Sequence, residues 1–234
     1  MAWYRREVTI RFAVVCLLAA CGSHSVPVGE LVGGVDVTDE VTRIHYEGRD
    51  VPVEKIAAAQ QWGLPVSGTA TVAIAVDVPR VNAVDDYSRA TGTIRVICKA
   101  CKVGDDVAKL TSPLGAIDFG HIAVPDFELA IDVANGKAVV STWRFDSPDV
   151  VLEVALELEL ARRFDDSTVN GCIRFHPTGG LMQHAPTTAA ALQATGADMH
   201  ADGNFQIKLS GKVRDPRRLN AECGDSAPRT LRHP

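Results

Sequence analysis

Val150-Val151-Leu152-Glu153-Val154-Ala155-Leu156-Glu157-Leu158-Glu159-Leu160-Ala161 decides the fold class of this 234-residue chain. Every even position is Val or Leu, and three of the odd positions are Glu. Leu and Glu favour helix intrinsically. Wound as a helix, however, these leucines would scatter around the axis, whereas a strand sets them all on one side. The segment reads as one strand with a dry face and an acidic, solvated face, about 40 Å long at ~3.4 Å per residue.

The same period of two recurs along the chain. Val72, Ile74, Val76 and Val78 alternate with Thr71, Ala73, Ala75 and Asp77. Phe127, Leu129, Ile131 and Val133 form another such set, as do Phe205, Ile207, Leu209 and Val213. Val139 and Trp143 continue it over 137–145, and fainter alternation marks 31–37, 41–47, 92–98, 107–110, 117–123 and 168–175. Turn signals fall at Val103-Gly104-Asp105-Asp106, Asn135-Gly136, Asn170-Gly171 and Asp202-Gly203-Asn204. Two short helices are predicted, over Val53–Trp62 and Pro186–Thr195, each followed by glycine. The expected fold is therefore mainly β: an extended, curved antiparallel sheet, groove-like or sandwich-like, with about two short helices. So few helices cannot cover a long apolar face. The sheet must curl on itself, meet another sheet, or leave a groove.

Composition narrows the function. Hydrophobic residues make up 46%, charged residues 23% and aromatics 6%, with a net charge of −5. The apolar content suffices for a core. The acidic balance and scarcity of aromatics argue against nucleic acid as a partner. No stretch reaches the ~20 apolar residues of a membrane-spanning helix.

The N-terminus reads as an address. Arg5, Arg6 and Arg11 precede the apolar run Phe12–Ala20, the layout of a secretory signal. Leu18-Ala19-Ala20-Cys21-Gly22 resembles a bacterial lipobox, which implies lipid attachment at Cys21 and cleavage before it. Loss of 1–20, with three Arg and Glu7, takes the net charge from −5 to −7. By resemblance to lipoproteins of Gram-negative bacteria, Gly22 after Cys21 implies the outer membrane rather than the inner, and the expected location is the periplasmic side of the envelope. The chain is thus divided into a signal (1–20), a linker (21–28), a β domain (29–218) and a disordered tail (219–234), with fraying expected from Asp215 onward.

Besides Cys16 and Cys21, four cysteines face an oxidising compartment: Cys98, Cys101, Cys172 and Cys223. Cys98-Lys99-Ala100-Cys101 follows an alternating strand, which favours a structural disulfide closing a turn over a redox motif opening a helix. No second such pair completes a zinc site. Cys223 is left either free or bridged to Cys172. No nucleophile–base arrangement, phosphate loop or metal-ligand spacing is present among the motifs. His200/Asp202, His176 and Glu153/Glu157/Glu159 read as surface or loop groups. No catalytic residue, metal or cofactor is expected, and the chain is read as non-enzymatic.

An ordered set of segments resembles the type II secretion system protein N (GspN) family, in its delta-proteobacterial and spirochaete-like form. It runs through Gly29-Glu30-Leu31-Val32-Gly33-Gly34, Trp62-Gly63-Leu64-Pro65-Val66-Ser67-Gly68 and Ala90-Thr91-Gly92-Thr93-Ile94. The hairpin-like Cys98–Asp105 (C-x-x-C-x-x-G-D) follows, then Ile117-Asp118-Phe119-Gly120, Gly136-Lys137-Ala138 and Cys172–Pro177. Asp202-Gly203 and Gly211–Pro216 close it. The resemblance spans roughly 29–218 and consists of turn glycines and strand ends. It implies an accessory or structural component of the secretion apparatus, with other secretion components as partners and a β-rich, AsmA-like architecture. The alternative, which rests on the long strands with one leucine/valine face and few helices to cover it, is a lipid- or hydrophobe-binding, AsmA-like groove lipoprotein. The chain departs from the family in carrying a lipobox where such proteins have a membrane helix and a longer β segment.

Overall fold

The computed structural model describes residues 28–223 except 57–64, 106, 108, 113–114, 119, 125, 194–197, 202 and 220–221. The predicted signal segment, Cys21 and residues beyond 223 therefore lie outside the described residues, as does most of the helix predicted over 53–62.

Among the described residues the protein is one large open antiparallel sheet and a small hairpin. The strands are β1 (Leu31–Val37), β2 (Val41–Pro52), β3 (Val66–Val81), β4 (Val84–Asp85), β5 (Thr91–Gly104), β6 (Lys109–Ser112), β7 (Gly115–Asp118), β8 (His121–Val124) and β9 (Phe127–Ala134). They continue as β10 (Lys137–Asp146), β11 (Val150–Glu159), β12 (Thr168–Pro177), β13 (Asp198–Met199), β14 (Phe205–Lys212) and β15 (Asp215–Leu219). The sheet order is β1-β2-β3-β5-β9-β10-β11-β12-β14, with β13 and β15 both on the outer side of β14. Strand β8 continues the line of β9 along β5, and β4 folds back on β3. β6 and β7 pair only with each other. Neighbours in sequence are mostly neighbours in space, as short hairpin connections require. The deciding stretch is extended as expected, and β11 pairs in unbroken register with β12 from Val150↔Pro177 to Glu159↔Thr168.

Two α-helices, α1 (Gly179–His184) and α2 (Pro186–Gln193), lie at one end of the sheet. α2 begins at the predicted proline; α1 carries two glycines at its start and had no sequence signal. The helix predicted from Val53 does not begin there. Val53–Lys55 is one 3-10 turn and Ile56 is extended (φ −86, ψ 107). Val53 is buried in the core and Ile56 packs against it, so packing of two β-branched residues overrides local helix formation.

Four other expectations are corrected. Cys98-Lys99-Ala100-Cys101 does not close a turn: β5 runs straight through it. Ser67 and Thr69 of β3 pair with Lys102 and Lys99, so one residue of β3 faces two of β5 in a β-bulge. Gly68, at φ +118, occupies that gap, where an added Cβ would come within 2.8 Å of Cys101 Sγ. Asn170-Gly171 is not a turn but lies inside β12. Residues 117–123 are not one strand, because Gly120 at φ +65 separates β7 from β8. The chain does not fray at Asp215: Asp215–Leu219 pairs with β14, and Cys223 is buried. The Asn135-Gly136 turn falls where predicted, both residues at positive φ, and joins β9 to β10.

The apolar side chains of one face form two clusters, one at each end of the strands. The larger gathers Ala70, Val72, Cys98, Phe145, Val150, Phe175 and Phe205 with Leu181 of α1, Ala189 of α2 and Ala185 between the two helices. The smaller gathers Val78, Ala90, Val133 and Ala138, with Tyr87 and Leu160 against it.

Candidate functional site

The band between the two clusters is the candidate site. A single row of paired residues crosses eight strands: Tyr46, Ile74, Ile94, Ile131, Val140, Leu156, Gly171 and Leu209. At ~4.8 Å per strand the row is about 34 Å wide. Ile94, Leu129, Leu156 and Leu209 belong to neither cluster and stay half-buried. Antiparallel pairing keeps opposed residues on the same face, so alternation within each strand becomes one continuous apolar surface. At Gly171 the row needs a missing side chain, because an added Cβ would lie 2.3 Å from Leu156 Cδ2. Leu156 leans over that glycine. Burial pushes the Tyr46 phenol's pKa above its ordinary value, as a largely apolar neighbourhood predicts.

One end of the band is aromatic. Phe127 and Trp143 have ring centroids 5.4 Å apart, and Trp143 and Phe145 lie at 6.0 Å. Phe175 and Phe205 stack at 5.4 Å. The Trp143 indole N–H is buried and has no acceptor among the described residues.

The opposite face is polar and self-neutralising. Arg95 pairs with Glu128 at 3.4 Å, Arg174 with Glu153 at 3.9 Å, and Lys137 with Glu157. Glu157 raises the Lys137 pKa through a hydrogen bond and its charge. The glutamates of β11 are thus cross-strand partners on an outer face. A shallow depression of about 410 Å³ on Arg43, His45, Ala75, Asp77 and Thr91 holds an Arg43–Asp77 pair at 3.8 Å and no cluster of free chemical groups.

Sequence reasoning missed one polar constellation. The buried Asp149 accepts a hydrogen bond from the Ala123 N–H (2.6 Å) and is paired with His184 Nε2 (2.7 Å). The His121 and His184 rings stack at 4.9 Å. Its members lie on β8, the β10–β11 turn and α1, far apart in sequence, so no spacing could announce them. The arrangement clasps α1 to the sheet. No group of three metal-ligating side chains is found among the described residues, and no described helix is long and apolar enough to cross a membrane.

Of the residues singled out in sequence, Cys98 and Cys101 form a disulfide within β5, both buried, with Cα atoms 6.1 Å apart. Cys172 is bonded to Cys223, which resolves the open pairing. His176 Nδ1 binds the Gly203 carbonyl at 2.8 Å and fixes a loop. His200 sits 4.0 Å from Glu222, and Asp202 lies outside the described residues. The Cys98–Cys101 bond pins the bulge rather than opening a helix, so its removal should act on stability. Replacing both with Ser is expected to cost about 2 kcal/mol by loop-closure entropy. Thermal denaturation measures this, and an insulin-reduction assay should find no thiol-exchange activity to lose.

The chain matches no family model, no curated protein and no solved structure.

Proposed function

We propose that this chain is a non-enzymatic, lipid-anchored component of the bacterial cell envelope, serving the type II secretion apparatus as an accessory structural part. The observation that carries the reading is the open sheet, whose continuous apolar face among the described residues stays half-buried at Ile94, Leu129, Leu156 and Leu209 between the two clusters. Such a face is a surface for holding something rather than a pocket for chemistry. The ordered GspN-like segments support it, several of them falling at strand starts, at the Asn135-Gly136 turn and at the bulge between β3 and β5. Lipidation at Cys21 would set the anchor ten residues before β1. Deleting the chain from its host should lower export of folded type II substrates, and the wild-type copy should restore it. Leu156→Glu, in the middle of the apolar row, should fail to restore it while still accumulating in the envelope. Unchanged export after deletion overturns the proposal.

A second reading, a lipid-binding groove, is favoured by the buried Trp143 N–H beside the half-buried row. An unpaired buried donor costs about 1–3 kcal/mol, and a ligand oxygen would relieve it. Native mass spectrometry of the purified protein distinguishes the two: co-purified lipid lost in Leu156→Glu supports the groove, and its absence from the wild type removes it.

A further inference from the structure

The two edges of the sheet are not alike. The far edge is defended: β13 has only two residues, and β15 reads Asp215-Pro216-Arg217-Arg218-Leu219. Short edge strands, proline and cationic side chains are the usual means of preventing strand addition. β1 has none of them. It is seven residues of Leu31-Val32-Gly33-Gly34-Val35-Asp36-Val37, in unbroken register with β2, with one charge and no proline. Nothing among the described residues pairs with its outer side. The β1–β2 turn is closed by the Thr38 N–H donating to the Val41 carbonyl at 3.0 Å. By the alternation of an antiparallel ladder, the backbone groups of residues 31, 33, 35 and 37 therefore point outward.

We infer that β1 is a dimerisation edge that pairs antiparallel with β1 of a second copy about Gly34. The strand is self-complementary. Pairing about Gly34 sets Leu31 against Val37 of the second copy and Gly33 against Val35, all through outward-directed backbone groups. Val37, 59% exposed on the apolar face, is covered by Leu31 of the second copy. The two Asp36 side chains face Val32 rather than each other, so no like charges meet. The pairing is isologous and uses up β1 on both copies, so it closes at two copies rather than growing into a filament. The apolar faces of both sheets then run on as one surface. This inference is independent of the secretion reading.

Sedimentation velocity of the full chain in density-matched detergent tests it. The wild type should pass from monomer to dimer as concentration rises, with concentration-dependent protection of the amides of Gly33, Val35 and Val37 from hydrogen exchange. Val35→Pro removes one outward N–H while sparing the ladder to β2, and Val37→Lys adds a defending charge. Each should weaken the dimer at least tenfold with unchanged far-UV circular dichroism. A wild type that stays monomeric up to 100 µM (roughly the upper end for a specific contact of this kind), or a dimer that both variants leave intact, overturns the inference.

Discussion

Replacing Cys172 and Cys223 with Ala is expected to cost about 4 kcal/mol, the loop-closure value for cysteines 51 residues apart. Cys172 is paired opposite Ala155 and Lys208, on the polar side of β12. There it is buried together with Cys223, which is 2% exposed. The Cys223 N–H donates to Gln206 Oε1 at 3.3 Å, which holds Cys223 against β14. The bond therefore fastens the last strand and covers part of a face that is otherwise solvated. For a chain of this size the loss should lower the melting temperature by about 8–16 °C. Circular dichroism melts of the double variant provide the measurement. A fall under about 1 kcal/mol would mean that pairing with β14 holds β15 unaided.

The second large effect is expected at Leu181, which is fully buried at 0% exposure. α1 has only six residues and two of them are glycine, so it has little helical stability of its own. Its place depends on Leu181 entering the cluster with Phe145, Val150 and Phe175 and on the His184–Asp149 clasp. Leu181→Ala should destabilise by about 2–5 kcal/mol through lost burial and the cavity left behind. It should also loosen the closure of the aromatic end of the apolar face, seen as increased binding of a hydrophobic fluorescent dye. Met182, next in sequence but 47% exposed, serves as the control. Met182→Ala should stay within about 0.5 kcal/mol of wild type. Equal effects at the two positions would show that α1 is not anchored through Leu181.

How far the fold was legible can be judged element by element. β11, β3, β9 and β14 were readable because alternation is a local property of a half-buried strand. The Asn135-Gly136 turn was readable because its two positive-φ positions need those residues. Asn170-Gly171 misled for the same chemical reason. Glycine also serves where a neighbouring side chain needs room, and Leu156 on the adjacent strand takes it. The Cys98–Cys101 segment misled because a bulge is a relation between two strands, and its cause, Gly68, lies 30 residues before Cys98. The candidate site was legible as an apolar face with too few helices to cover it, but its width was not. Trp143's unpaired N–H and the Asp149–His184 contact had no local signature at all.

The residues alone determined that this chain makes strands with one dry side and that helices are scarce. Those are consequences of side-chain period and composition, which act over a few neighbouring positions. The tertiary structure alone decided that the sheet stays open, that its apolar band is half-buried at Ile94, Leu129, Leu156 and Leu209 between two clusters, and that among the described residues β1 has no strand on its outer side while β14 is guarded. Each of these depends on which strands meet across long separations. That choice is made by register and packing between distant segments, and no window of sequence contains both partners.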